Sequence, residues 1–163
     1  MLSFDNLLPC LIGLEVVDDA MARKIARILV PLDGSKNSIK GLDMAIYIAR
    51  QCNATITGLF VVPFYLPISG PRVWGPYKKE TLRIMRKFLH DAKVRSAQNG
   101  IAFHEKIIEG DVTASDIANF ANRKNFDLIV ISSRGLGGVR GLFLGSVTYS
   151  VLHKSKIPVL VAK

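Results

Sequence analysis

Acidic residues are scarce in this chain: 13 Asp and Glu stand against 22 Lys and Arg, giving a net charge of +9 over 163 residues. The shortage is uneven. Residues 1–20 hold Asp5, Glu15, Asp18 and Asp19 with no Lys or Arg, so the rest of the chain carries +13. A body of that sign prefers anions, and the preference admits nucleotides, nucleic acids and acidic partners alike. No recognition-helix, zinc-finger or aromatic-basic RNA pattern is present, and specific nucleic-acid binding is therefore not expected.

Cysteine is nearly absent too. Cys10 and Cys52 have no CxxC spacing, which excludes a disulfide framework or a structural zinc and leaves two ordinary thiols. His90, His104 and His153 share no metal-ligand spacing, so no metal site is expected among them. No apolar run approaches the roughly 20 residues of a membrane span. Residues 1–20 also lack the basic start and small-residue cleavage site of a secretion signal. These absences together predict a cytoplasmic protein with no membrane segment.

What is present is a core: 49% of residues are hydrophobic and 21% charged, enough for one globular domain. The pattern changes at Met21-Ala22-Arg23-Lys24, dividing the chain into an N-terminal extension, 1–22, and a domain, 23–163. Met21 resembles a natural start of translation, which would make residues 1–20 an appendage; the other reading is an amphipathic arm packed on the domain.

Within the domain, strand and helix patterns alternate. Ile28 to Leu32 reads as a strand that ends at Asp33-Gly34-Ser35, a turn followed by a Ser cap. Ile39, Leu42, Ile46 and Ala49 recur at helical spacing. Ala54 to Val62 is a second strand. Beyond it the stretch from Pro63 to Tyr77, with Phe64, Tyr65, Leu66, Ile68 and Trp74, reads as a long irregular loop. So many large apolar groups must cover something: a bound ligand, a partner surface or the loop itself, with packing in a dimer or over the domain favoured. Leu82, Met85, Leu89 and Ala92 mark a helix ending at Gly100, Ala102 to Ile108 a third strand, and Ile117, Ala118 and Ala121 a short helix. Leu128 to Ile131 is a fourth strand, Val147, Val151 and Leu152 mark a last helix, and Val159 to Ala162 is a final strand.

The resulting order, βαβαβαβαβ, predicts an α/β fold: a five-stranded parallel sheet, Rossmann-like, with helices on both faces. Ligands of such sheets bind beyond the strand C-termini where strand order reverses, so Asp33, Val61 and the segment from Ser132 become candidate neighbours. Spacing leaves the order itself open. Ser132-Ser133-Arg134-Gly135 and Gly145-Ser146 flank a glycine-rich connection from the fourth strand to the last helix. Backbone N–H groups approach an anion closely where side chains do not intrude, and a helix start adds unpaired donors and partial positive charge. Arg134 and Arg140 are either solvated charges or phosphate contacts, and Asp33 is either a turn residue or part of the site. A dinucleotide GxGxxG begun at Gly135 would need glycine at Arg140, and a P-loop would need Gly-Lys-[Ser/Thr] where Gly145 is followed by Ser146. Neither motif is present.

From Lys24 to Lys163 the chain resembles the universal stress protein family, small α/β domains of the adenine nucleotide hydrolase-like superfamily. The resemblance rests on Val30-Pro31-Leu32-Asp33-Gly34-Ser35, on Leu59-Phe60-Val61-Val62, on the glycine connection and on Lys156-Ile157-Pro158-Val159-Leu160-Val161. ATP-binding members carry G-x2-G-x9-G-[ST]; Gly135, Gly145 and Ser146 match it, while Ser132 replaces the first glycine. The resemblance implies a stress-response regulator that binds ATP, or ADP or AMP, with Mg2+ compatible with the nucleotide. The strand end Pro31-Leu32-Asp33 would lie at the nucleotide, with Asp33 near the sugar or base. Val61 and Ile131 would flank the adenine, while Gly135, Gly145, Ser146 and Val147 cradle phosphate. It also implies a homodimer through Val159, Leu160 and Val161, whose short apolar edge invites pairing. Ser132 brings a β-carbon to a place where the family has none, with added strain if φ is positive there. A nucleotide-free interaction protein of the same fold is the alternative class. No positioned catalytic base can be singled out, so any ATP hydrolysis is expected to be slow.

Overall fold

The computed structural model describes residues 24–63, 71–137 and 144–163, with the side chains of 71–74 outside the description. The extension 1–22 and the large apolar residues Phe64, Tyr65, Leu66 and Ile68 lie outside the described residues.

Five strands, β1 (Arg27–Pro31), β2 (Thr55–Pro63), β3 (Phe103–Gly110), β4 (Leu128–Ser132) and β5 (Val159–Ala162), alternate with four helices. The helices are α1 (Lys36–Cys52), α2 (Pro71–Gln98), α3 (Thr113–Arg123) and α4 (Ser146–Lys154). All pairings are parallel and the sheet order is β3-β2-β1-β4-β5. Successive strands run outward from β1 in one direction as far as β3; the chain then returns to β1's other side for β4 and β5. Right-handed crossovers running in opposite directions put their helices on opposite faces.

Two apolar layers result, because alternate strand residues point to opposite faces. Ile28, Val30 and Leu32 of the β1 strand and its exit pack with Leu42, Ala45, Ile46 and Ala49 of α1 and Leu89 and Ala92 of α2. Leu29, between them, joins Ile117 and Ala121 of α3 and Val151 of α4 on the other face. Both sides of the central strands are covered, which is why β4, Leu-Ile-Val-Ile-Ser, is buried at every position.

Local chemistry sets the element ends. Ser35 Oγ accepts the Ser38 N–H at 3.0 Å and caps α1, which stops at Asn53 in a left-handed conformation (φ 54°), its N–H donating to the Ala49 carbonyl. Asn53→Val is expected to cost about 1–2 kcal/mol because a branched side chain resists that conformation, whereas Asn53→Gly should leave the urea midpoint nearly unchanged. Asp127 Oδ2 accepts the N–H groups of Ala26 and Arg27 at 2.9 and 2.8 Å, tying the entry of β1 to that of β4.

One sequence expectation needs correction. Helix begins at Pro71, so the segment read as loop through Tyr77 is helical in its second half. Proline suits a first turn, where its missing N–H would have no intrahelical partner; Pro76, further in, removes only one bond from a long helix. The inward face of α4 is Thr148 and Val151, while Val147 and Leu152 are exposed. An isolated period of apolar residues cannot distinguish these faces when a buried threonine supplies part of the inward one.

Candidate functional site

Strand order reverses between β1 and β4, which are neighbours through Ile28↔Leu128 and Leu29↔Ile129. Their connections leave in opposite directions there, opening a crevice beyond the C-terminal ends. A cavity of about 760 Å³ occupies it, within the usual range for small-molecule sites. The fold brings all the expected site residues to this cavity: Pro31, Leu32 and Asp33 from the β1 exit, Val61 from β2, Ile131 and Ser132 from β4, Arg134 and Gly135 from the connection, and Gly145, Ser146 and Val147 from the start of α4. Gly138, Arg140 and Gly141 lie outside the described residues.

The β1 exit is a tight turn built around a carboxylate. Asp33 Oδ1 accepts the Ser35 N–H at 2.9 Å, and Gly34 takes φ +85°, a conformation that disfavours side chains. The second oxygen, Oδ2, accepts the Leu136 N–H at 2.9 Å. One aspartate therefore joins the turn after β1 to the glycine connection after β4.

Ser132 is a strand residue, 6% exposed, paired with Ala162 of β5. Among the described non-glycine residues only Asn53 and Asn125 have positive φ, so serine at this position is free of left-handed strain. Its hydroxyl donates to the Arg134 carbonyl at 2.9 Å, and its own carbonyl accepts the Thr148 hydroxyl at 2.8 Å. The neighbouring Ser133 N–H donates to the Ala162 carbonyl at 2.7 Å, and the Ser133 carbonyl accepts the Gly145 N–H at 2.8 Å. The two ends of the glycine connection are thus fastened to each other and to β5.

Gly145 is the residue before α4, in extended conformation, and supplies no side-chain cap. The intrahelical ladder begins with Tyr149 N–H to the Gly145 carbonyl at 2.9 Å, so the N–H groups of Ser146, Val147 and Thr148 precede it. Exposed Arg134 adds a positive charge to the same rim. Apolar lining comes from Leu59, Val61, Ile117 and Ile131 among others. The cavity thus combines donors that suit an anion with apolar surface that suits a flat group. Among the described residues no three His, Cys, Asp or Glu converge to hold a metal.

Sequence reasoning missed part of the lining. Tyr77, Lys78, Thr81, Ile84 and Met85 come from the first half of α2, and Thr113 and Ile117 from the start of α3. Lys78 pairs with Glu109 of β3 at 2.7 Å. In the sequence Met85 and Ile117 mark helices and nothing more, and reading Tyr77 as loop hides the helical face that carries Thr81 and Ile84 to the cavity.

The model of the universal stress protein family matches residues 24–163. The chain is similar to universal stress protein YxiE of Bacillus subtilis, 32% identical over 153 residues, covering 84% of this chain and 98% of that one. Its fold is similar to that of universal stress protein UspA from Lactobacillus plantarum, with TM-score 0.79, 22% identity, and coverage of 86% and 99% of the two chains. A universal stress protein solved in complex with cAMP is 25% identical, with TM-score 0.67 over 86% of this chain and 98% of that one.

Proposed function

Because the chain belongs to the universal stress protein family, we propose that it binds an adenine nucleotide and acts as a nucleotide-dependent, dimeric regulator in the stress response. The observation that carries this reading is the meeting, in one cavity, of an uncapped helix start at Gly145 and Ser146 with the apolar side chains of Val61 and Ile131. The cAMP complex of a related protein supports the ligand class.

In this reading the adenine lies between Val61 and Ile131, the sugar turns toward the Asp33 end, and phosphate meets the N–H groups of Ser146 and Val147 with Arg134 alongside. Asp33 accepts hydrogen bonds and carries negative charge, so it favours sugar hydroxyls and repels phosphate, which fixes the ligand's direction. ATP is the nucleotide proposed, with ADP and AMP sharing the same adenosine contacts; Mg2+ would accompany the polyphosphate, held by it rather than by a carboxylate cluster. The chain's part is binding and orientation; no residue is assigned as a hydrolytic base.

Dimerisation is proposed through β5. It is an edge strand whose Val159, Leu160 and Val161 are only half-buried, and an apolar edge of this kind is completed by pairing with a second copy.

Mass spectrometry of nucleotide released from freshly purified protein, followed by calorimetric titration with ATP, ADP and AMP, tests the ligand. Saturable binding to at least one is expected, and flat titrations of ligand-free protein with all three would leave the interaction-protein reading. Light scattering at micromolar concentration should give the mass of a dimer; a monomeric mass excludes the β5 contact.

A further inference from the structure

Gly135 has a second claim on its hydrogen, independent of any ligand. A β-carbon built there would lie against Asp33 Oδ2, the same oxygen that accepts the Leu136 N–H. Asp33 Oδ1 is held in turn by the Ser35 N–H at the cap of α1. The carboxylate is thus fixed by its own turn, and the glycine connection is seated onto it.

We infer that Asp33 is a positioning residue that clamps the glycine connection across the reversal point of the sheet, and that position 135 is glycine to admit this carboxylate. Among the described residues the connection is also fastened by Ser133 to Gly145 and by Ser132 to Arg134. The Asp33 bond to Leu136 is a further fastening, from another strand. It uses an amide outside the α4 start, so the N–H groups of Ser146 and Val147 stay available for phosphate while Arg134 and Gly135 are held at the cavity rim. The inference rests on the nucleotide reading for its purpose but not for its geometry, and the two fail separately.

Amide exchange in the ligand-free protein reads the clamp directly. Leu136 is 74% exposed, so its N–H exchanges near the free rate unless the carboxylate holds it. Exchange at Leu136 should be roughly tenfold faster in Asp33→Asn, which keeps the side-chain shape but offers one acceptor where two amides ask for one, and in Asp33→Ala. Equal exchange in the parent and both variants overturns the clamp, whether or not nucleotide binds.

The reason for glycine is read by a double-mutant cycle in denaturant midpoint, again without ligand. Gly135→Ala should lower the midpoint in the parent and lower it far less in the Asp33→Ala background, because the colliding carboxylate is gone. An equal drop in both backgrounds assigns the glycine to another cause and overturns that half of the inference. Its positioning role is then read with AMP and adenosine as probes. Gly135→Ala should weaken AMP roughly tenfold and adenosine little, since the loop serves the phosphate end. An equal loss for both probes means that the clamp supports the fold without positioning the loop. If neither probe binds the parent, the nucleotide reading fails, and exchange and midpoint still decide the clamp.

Discussion

Ser146→Asp is expected to abolish nucleotide binding while leaving the folded protein at least as stable as its parent. Ser146 is exposed at the first position of α4. A carboxylate there meets the positive end of the helix and the N–H groups ahead of the ladder, which favours the folded state by about 0.3–1 kcal/mol. The same charge stands where phosphate must approach. Two unit charges about 4 Å apart repel by roughly 4 kcal/mol at an effective dielectric near 20, or nearly a thousandfold in affinity. Titration calorimetry and urea unfolding of one preparation read both signs. A loss of binding accompanied by a loss of stability would point to damage of the fold, and unchanged affinity would remove phosphate from the start of α4. Opposite signs in the two measurements are the signature of a helix end kept without a charged cap for a ligand.

Leu29→Ala should have the largest effect on stability, roughly 3–5 kcal/mol, against the 5–15 kcal/mol typical of a domain. Leu29 is fully buried in the central strand, packed among the side chains of α3, α4, β2 and β4. Substitution by alanine leaves a cavity that rigid neighbours on both sides of β1 cannot close. Leu136→Ala provides the contrast: that side chain is 74% exposed, and its loss should stay within about 0.5 kcal/mol. Urea midpoints at constant slope check both. A Leu29→Ala cost under about 1 kcal/mol would mean that the sheet repacks around the gap, contrary to its burial in every neighbouring strand.

How far the sequence reaches depends on how local the cause is. The strands were legible because β1 and β4 are short, apolar and punctuated by turn residues, and Ser35 could be read as a cap because its partner, Ser38, is three residues away. Asp33, Val61, Ile131, Gly135 and Ser146, which line the cavity, were legible as candidate site residues from strand ends and a family motif. Tyr77, Thr81 and Ile84 were not, because Gly75 and Pro76 interrupt the helical signal just where α2 passes the cavity. Ser132 looked like an intrusion on a glycine position. Its placement at the end of β4, with its hydroxyl on the Arg134 carbonyl, depends on the pairing of Ser132 with Ala162, which residues that far apart in the chain cannot announce.

The sequence by itself determined the alternating α/β order, the anion-preferring charge of the domain and the family to which it belongs, since periodicity, composition and motif are properties of neighbours along the chain. Only the tertiary structure decided that β1 lies between β2 and β4, and with it that Asp33 meets Leu136 across 103 residues. Strand order is set by which faces and edges the packed helices leave to be filled, an energy shared by the whole sheet. The carboxylate and the glycine connection were each visible in the sequence; their meeting is a product of the fold.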